Sequence, residues 1–170
     1  EDCFFQNMVN QGIISWDASY TVTKGNKFTG SIDGILAGGS MLLNGEIQVG
    51  IPGPADAFHN QFYDNTIGIR STSNGVFKIW RNTFDDFDFD VAMTGLNESE
   101  SNHNLFEAEA AGVQMESTGL GYNAVNCNSY ADNIVGVNIV GNNELFTFRE
   151  EQFNTQYHDL FLEGPSTNPG

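Results

Sequence analysis

The residues whose spacing most suggests chemistry are carboxylates. The densest acidic run of the chain is Asp85-Asp86-Phe87-Asp88-Phe89-Asp90. Hard oxygen ligands in a turn suit Ca²⁺, so Asp86, Asp88 and Asp90 form a candidate calcium site, and calcium is the one cofactor that the sequence suggests. The alternative is a solvated acidic face, because the end of a half-buried strand also alternates polar and apolar residues. The chain contains no EF-hand or nonapeptide calcium motif.

A second set of ionisable residues is basic. His59, Arg81 and His103 each directly precede a recurring asparagine. If those asparagines lie one above another, the three side chains form a short cationic stripe suited to an anion or to catalysis. The interpretation as ordinary surface residues beside a turn is the favoured one. No serine or cysteine triad and no zinc-ligand spacing is apparent.

These groups are positioned by a short repeat, Asn-x-Phe followed by five residues and then Gly-Ile or Gly-Val. The aromatic residue of each copy falls at Phe5, Phe28, Phe62, Phe84, Phe106, Tyr130 and Phe153, and the asparagine at Asn26, Asn60, Asn82, Asn104 and Asn128, with Glu151 in the last copy. Most copies are 22 to 24 residues apart, and one interval is 34. Self-similarity at a short fixed period is the sequence signature of a stacked repeat architecture.

Each column of the aligned copies has a physical role. Seven residues after the ring stand Ile35, Ile69, Val91, Val113, Val137 and Leu160, and the alternation around them predicts a strand with one buried face. The preceding column is Gly34, Gly68, Asp90, Gly112, Gly136 and Asp159, which predicts backbone with positive φ. The asparagines predict a left-handed bend and a ladder of hydrogen bonds between rungs. Three short strands per repeat leave no room for a helix.

The Asn-x-Phe-x5-Gly-Ile frame resembles the right-handed parallel β-helix repeat of the pectate-lyase-like proteins, over nearly the whole chain. The resemblance implies an all-β solenoid of about seven coils with three parallel sheets and the asparagine ladder at a tight turn. It implies little about function, because one fold hosts many activities. The predicted aromatic core stack is Phe28, Phe62, Phe84, Phe106, Tyr130 and Phe153.

Two stretches depart from the repeat, and the chain closes on a third. Residues 38–57 exceed the period, and the Asn44-Gly45 pair inside them predicts a projecting hairpin or loop. Residues 94–102 read as a polar exposed loop that contains an Asn-x-Ser glycosylation sequon. We expect one domain over residues 1–164, a segment of a longer chain, with residues 165–170 as a tail or loop.

The outward column of the strand that carries Ile35 tests for a pectate-lyase-like enzyme, because the resemblance implies that substrate lies along that face. The column is Leu36, Arg70, Ala92, Gln114, Asn138 and Phe161. It contains no carboxylate, so the paired acids of a glycosidase are missing from it. A lyase that uses Arg70 as base with calcium on Asp88 and Asp90 is the remaining catalytic interpretation; otherwise no catalytic residue is assigned.

The composition limits the classes of partner that the chain is expected to bind. The net charge is −16 and the chain has six Lys and Arg residues, so nucleic acid and anionic membrane are excluded as expected partners. No run is long enough for a membrane span. Cys3 and Cys127 lie five rungs apart, on the order of 24 Å at the spacing of β-strands, which is too far for a disulfide.

The sequence therefore predicts a non-enzymatic structural or adhesive segment of an extracellular or cell-surface protein, of bacterial type, that acts as a stiff shaft. Its expected partners are neighbouring coils or chains of the same surface assembly, and glycans. The alternative is a carbohydrate-active β-helix enzyme, a polysaccharide lyase or glycoside hydrolase, or a glycan-binding module.

Overall fold

The computed structural model of the chain describes residues 2–39, 46–52, 60–72, 76–95, 98–102, 104–117 and 119–164. These residues form twenty β-strands and no helix. The strands make six complete three-strand coils and two strands of a seventh, all paired in parallel. The predicted all-β solenoid of about seven coils is confirmed.

Sheet A contains the Asn-x-Phe strands of the repeat. In chain and spatial order it consists of β1 Phe4–Gln6, β4 Lys27–Thr29, β7 Gln61–Tyr63, β10 Thr83–Asp85, β13 Leu105–Phe106, β16 Ser129–Ala131 and β19 Gln152–Asn154. These strands are only two or three residues long, so they place one ring each and then turn.

Sheet B contains the strands of the Ile/Val column. It consists of β2 Gln11–Trp16, β5 Asp33–Gly38, β8 Ile67–Thr72, β11 Phe89–Thr94, β14 Ala111–Glu116, β17 Val135–Val140 and β20 His158–Glu163. Sheet C consists of β3 Tyr20–Val22, β6 Glu46–Val49, β9 Val76–Trp80, β12 Glu98–Asn102, β15 Gly119–Asn126 and β18 Asn143–Arg149.

The core is a narrow column filled by one stack of rings and the aliphatic side chains of sheets B and C. Seven rings, from Phe5 to Phe153, lie on successive coils with centroids 4.6 to 5.2 Å apart. This separation is close to the spacing of neighbouring strands, about 4.8 Å, so the backbone register itself brings the rings into contact. The five rings from Phe28 to Tyr130 are buried.

The repeat positions of Gly and Asn do not supply the left-handed backbone that the sequence predicts. Left-handed residues instead begin the corners of the coil: Asp2, Gly25, Arg81, Cys127 and Glu150 before sheet A; Asn7, Gly30, Asp64 and Asp132 after it; and Asp17, Gly95, Ser117 and Gly141 after sheet B. Asn26, Asn82 and Asn128 of the ladder directly follow Gly25, Arg81 and Cys127 of the first group. The prediction that the Gly column needs backbone with positive φ is therefore wrong.

The glycines of that column are required by space. A Cβ at Gly34 would lie 2.6 Å from the Gly68 carbonyl oxygen and 2.8 Å from the Phe62 ring, which belongs to the next coil. Gly136 meets the Phe153 ring in the same way, at 2.7 Å. Real Cβ atoms do not approach neighbours this closely, so the ring stack and the Gly column depend on each other.

Two irregular stretches contain strands of the solenoid. β6 pairs in parallel with β3 on one side and β9 on the other, so both of its edges are occupied and it cannot be an arm of a projecting hairpin. Asn44 and Gly45 lie outside the described residues. β12 pairs with β9 and β15, and its Ser99 and Ser101 are buried, so the exposed loop predicted for residues 94–102 is wrong for Thr94, which ends β11, and for residues 98–102. Residues 96 and 97 lie outside the described residues.

No disulfide joins Cys3 to Cys127. Across the described stretches, no helix is long and apolar enough to cross a membrane. Residues 165–170, the predicted tail, lie outside the part of the chain that the structure describes.

Candidate functional site

The ladder asparagines form a continuous hydrogen-bonded column between sheets C and A. Asn26 Nδ2 donates to Asn60 Oδ1 at 2.9 Å, Asn60 to Asn82 at 3.0 Å, Asn82 to Asn104 at 3.2 Å and Asn104 to Asn128 at 3.0 Å. All five residues are buried. The side chains also donate to the last carbonyls of sheet C, such as Asn82 Nδ2 to Val49 O at 3.1 Å. The column therefore satisfies backbone groups that the corner leaves without strand partners.

Glu151 occupies the last position of this ladder. Its Oε1 accepts from Asn128 N at 3.4 Å and from Asn128 Nδ2 at 3.5 Å. Burial raises the pKa of the Glu151 carboxyl to about 7, and the hydrogen bonds from Asn128 oppose this rise. A neutral carboxylic acid has one acceptor and one donor oxygen, so in that form Glu151 imitates the asparagine amide.

A second column of polar side chains, which sequence reasoning missed, lies at the corner between sheets A and B. It consists of Ser31, Asn65, Asp86 and Asn133, all buried. Ser31 N donates to Asn65 Oδ1 at 3.1 Å, and Asn65 N and Nδ2 donate to Asp86 Oδ1 at 3.0 and 2.8 Å. Asn65 and Asn133 stand three residues after the ring, whereas Asp86 stands two after it. This shift hides the column in the sequence.

The shift has a structural cause. Asp64 and Asp132 adopt a left-handed conformation between the ring strand and the column residue, whereas no such residue follows β10 or β13. The fourth and fifth coils therefore turn one residue earlier, and Asp86 and Ala108 take the column position there.

Asp90 fills a break in the second column. At the column position of the fifth coil stands Ala108, which has no polar side chain. The Asp90 carboxylate, fully buried, accepts from Asp86 N at 3.3 Å and from Ala108 N at 2.9 Å. Asn133 Oδ1, which a regular column would pair with Ala108 N, is buried without a partner among the described residues. Asp90 thus replaces the missing side chain.

The three predicted calcium ligands do not form one cluster, because Asp86 and Asp90 lie near each other in the interior and Asp88 does not join them. Asp86 and Asp90 are buried and engaged by backbone donors, whereas Asp88 is exposed. Within the described ranges, no group of three or more His, Cys, Asp or Glu side chains is placed to hold a metal ion. Burial raises the pKa of Asp86 to about 7. It raises the pKa of Asp90 as well, and the nearby Asp86 carboxyl adds to that rise.

The remaining acids of this corner form a surface. Asp64, Asp85 and Asp132 are exposed, and Glu107 is partly so. Partial burial raises the pKa of Glu107, and its neighbours Asp85 and Asp132 raise it further. The corner is thus an acidic face over a buried, hydrogen-bonded interior.

The outward column of sheet B is as the sequence placed it. Leu36, Arg70, Ala92, Gln114, Asn138 and Phe161 lie in register on successive strands. Arg70 Nε donates to Asp33 Oδ1 at 2.7 Å, and the Asp33 side chain is buried. Gln11 Nε2 donates to the other oxygen of Asp33 at 3.2 Å. Asp33, which sequence reasoning missed, therefore holds the Arg70 guanidinium in an ion pair at this position of sheet B.

Sheet B also carries an exposed aromatic side chain, at the opposite end of β2 from Gln11. Trp16 of β2 is 58% exposed, and its ring lies across Gly38 of β5, where a side chain would collide with it. The proposed cationic stripe is described only in part: Arg81 is a left-handed corner residue, whereas His59 and His103 lie outside the described residues.

Comparison with known proteins gives no relative. No family model, no curated protein and no solved structure matches the chain significantly. The fold and its internal columns are therefore the basis for assigning a function.

Proposed function

We propose that the chain is a non-enzymatic shaft segment of an extracellular or cell-surface protein of bacterial type, with an adhesive role for its outer surface. The observation that carries the proposal is the continuity of its internal columns: the ring stack runs from Phe5 to Phe153 and the ladder from Asn26 to Glu151. Each coil is held by the next through backbone, amide and ring contacts at once, which resists bending.

The exterior suits a spacer. A net charge of −16 keeps such a surface soluble and discourages sideways clustering. The acidic, lysine-poor composition fits an exported protein, and neighbouring coils or chains of the same assembly are the proposed partners.

A pulling experiment tests the shaft. One end of the folded chain is anchored and the other is drawn along the solenoid axis in an optical trap. We expect a constant length until coils unfold, because every coil is bonded to its neighbours. Gradual extension at low force would contradict a stiff spacer.

Glycan binding or cleavage is the second candidate, favoured by the exposed Trp16 ring and the Gln11–Asp33–Arg70 group, which belong to the same sheet, B. Aromatic faces with a few polar groups are common in ligand sites. Binding or depolymerisation of a polysaccharide panel, with and without calcium, distinguishes the two functions. Activity that is lost in Arg70→Ala and Trp16→Ala but kept in the control Thr21→Ala, on sheet C, would support the glycan function. Inactivity of the folded protein supports the shaft.

A further inference from the structure

Exposed apolar side chains recur along the outside of the corner between sheets A and B. Ile32 is 45% exposed, Phe87 51% and Ile134 45%. Each directly follows a buried residue of the second polar column, and the three belong to the second, fourth and sixth coils. Further coils lie on both sides of each of them. Their exposure is therefore a property of the side of the solenoid and not of its ends.

The first residues of sheet B strands widen this row of side chains. Ile67, Phe89 and Val135 begin β8, β11 and β17 at one level of the register. None of the three belongs to the apolar cluster that fills the interior, so they lie on the outer face. Together with Ile32, Phe87 and Ile134 they form what we call the corner band.

The outside of sheet C has a different composition. Its central outward column is Thr21, Gln48, Lys78, Glu100, Ala124 and Thr147. Because the two sheets belong to the same coils, the apolar composition of the corner band is not a general feature of the exterior. Exposed apolar surface with a polar rim is typical of interaction sites.

Carboxylates border the corner band on the side of sheet A. One acid comes from each of the third to sixth coils: Asp64, Asp85, Glu107 and Asp132. Glu109, which is exposed, follows the second column in the fifth coil and brings a further carboxylate into the row of Ile32 and Phe87. Arg70, on the adjacent face of sheet B, is paired with Asp33. Such a border favours a cationic partner and disfavours a second copy of this acidic chain.

The backbone of the middle coils limits the form that a partner can take. β8, β11 and β14 each pair with a strand on both sides, so a partner cannot join sheet B there as an added strand. A chain that lies on an apolar face must then satisfy its backbone groups internally, as a helix does. Helices commonly cover the faces of parallel sheets.

We propose that the corner band binds a cationic amphipathic helix of a partner protein. The proposal rests on the adhesive role proposed above, and it names the surface and the class of partner. Ile32, Phe87 and Ile134 are two coils apart in turn, about 10 Å at the spacing of strands, and residues seven apart on a helix are separated by about 10.5 Å. The helix lies along the solenoid with its apolar face on the band and its lysines or arginines against the bordering carboxylates.

A designed peptide is the probe. It has about 14 residues, enough to span the second to sixth coils, with leucines on one helix face and lysines on the other. A scrambled peptide of the same composition has no apolar face. We expect titration calorimetry to show binding of the amphipathic peptide and much weaker binding of the scrambled one. The helical circular dichroism of the amphipathic peptide should rise on binding, and its affinity should fall as salt is added.

Two variants of the band test where the peptide binds. Phe87→Ser removes an apolar contact without a change of charge, and Ile134→Lys places a cation in the band. Each should weaken binding by about fivefold or more, as the loss of an anchoring side chain does. Thr21→Lys is the matched control, because it makes the same change of charge at an exposed position of sheet C; it should bind nearly as well as the unaltered chain.

The acidic border has its own test. Asp64 and Asp132 adopt positive φ, which asparagine also tolerates, so Asp64→Asn with Asp132→Asn keeps the backbone and removes two charges. This double variant should bind the peptide more weakly at low salt and with a smaller dependence on salt. Circular dichroism and thermal unfolding establish that all variants are folded.

Equal binding of the amphipathic and scrambled peptides would show attraction by charge alone and overturns the proposal. Unchanged affinity in both Phe87→Ser and Ile134→Lys overturns it as well. Self-association of the chain that Ile134→Lys abolishes would assign the band to a second copy instead. A chain that keeps its length under force but does not bind the amphipathic peptide would overturn the docking of a helix and leave the shaft function intact.

Discussion

A ladder asparagine satisfies several buried groups at once. Asn104 Oδ1 accepts from Asn82 N at 2.9 Å and from Asn82 Nδ2 at 3.2 Å. Asn82 in turn accepts from Asn60 and donates to the Val49 carbonyl. Removal of one such side chain leaves donors and acceptors of both neighbouring coils without partners in a place that water does not reach.

Asn82→Ala should therefore lower the free energy of unfolding by about 1–3 kcal/mol, the cost of leaving buried polar groups unsatisfied. Urea denaturation measures the change. Asn10→Ala is the control, because Asn10 is exposed and its carbonyl, which accepts from Ile32 and Asp33, is kept. Equal stability of the two variants would show that the ladder contributes nothing measurable.

Asp90 and Ala108 form a compensating pair in the second column. Asp90→Gly alone should destabilise by about 1–3 kcal/mol, because Asp86 N and Ala108 N lose their acceptor. Ala108→Asn alone should also destabilise, since the new amide competes for the space that the Asp90 carboxyl fills. The double variant restores a regular column, with Asn133 Oδ1 available to the residue 108 amide.

A double-mutant cycle measured by denaturant unfolding checks this pairing. We expect the double variant to lose less free energy of unfolding than the two single variants lose together, by about 0.5 kcal/mol or more. Coupling energies between residues in one network usually lie between about 0.5 and 3 kcal/mol. Strict additivity would mean that the two positions do not share a role.

At the scale of the elements, the corner and the ring strand determine each other. A Cβ at Gly68 of β8 would lie 2.7 Å from the Asp90 carbonyl oxygen and 2.9 Å from the Phe84 ring, and would collide with the Asp86 carboxyl. The short strands of sheet A cannot shift to relieve such contacts, because their rings are stacked on both sides.

Gly68→Ala should accordingly destabilise the solenoid by about 1–3 kcal/mol, the usual cost of overpacking a close-packed core. Gly164→Ala is the matched control, since nothing lies within 4 Å of a Cβ there. Thermal and denaturant unfolding of both variants measure the difference. A neutral Gly68→Ala would mean that β8 and β10 separate more readily than the ring stack implies.

At the scale of the whole molecule, buried acids make stability depend on pH. The pKa of Asp86 rises from 3.8 to about 7 through burial, and that of Asp90 is raised for the same reason. The folded state then binds more protons than the unfolded state between these values, so the free energy of unfolding falls as pH rises through this window. The contribution is fully present below pH 3.8 and is lost above about 7.

Asp86→Asn tests this directly, because an amide keeps the acceptor for Asn65 and cannot ionise. We expect the variant to be less sensitive to pH between about 4 and 7 and more stable than the unaltered chain at pH 8. The slope should differ by at most about 1.4 kcal/mol per pH unit for one group. Identical pH profiles would mean that Asp86 titrates normally in the folded chain.

Much of the fold was predictable because equivalent positions of successive coils have the same surroundings and therefore require the same types of residue. Phe62, Phe84 and Phe106 recur at the period of one coil, and the asparagines recur with them, so the parallel solenoid, the ring stack and the asparagine ladder follow from local pattern. The alternation of polar and apolar residues fails to identify strands where the buried positions carry polar side chains. Ser99 and Ser101 read as loop residues, yet Ser99 Oγ donates to Asn123 at 2.7 Å inside β12 and β15.

The sequence by itself determined the solenoid, its ring stack and the absence of carboxylates along the outer column of sheet B. Only the tertiary structure decided which acids face inward. Asp86 and Asp88 are two residues apart in one run, yet one is buried and the other exposed. The physical reason is that a polar side chain turns inward only where the neighbouring coils offer donors. Asp86 accepts from Asn65, and Asp90 accepts from Ala108; both donors belong to other copies of the repeat.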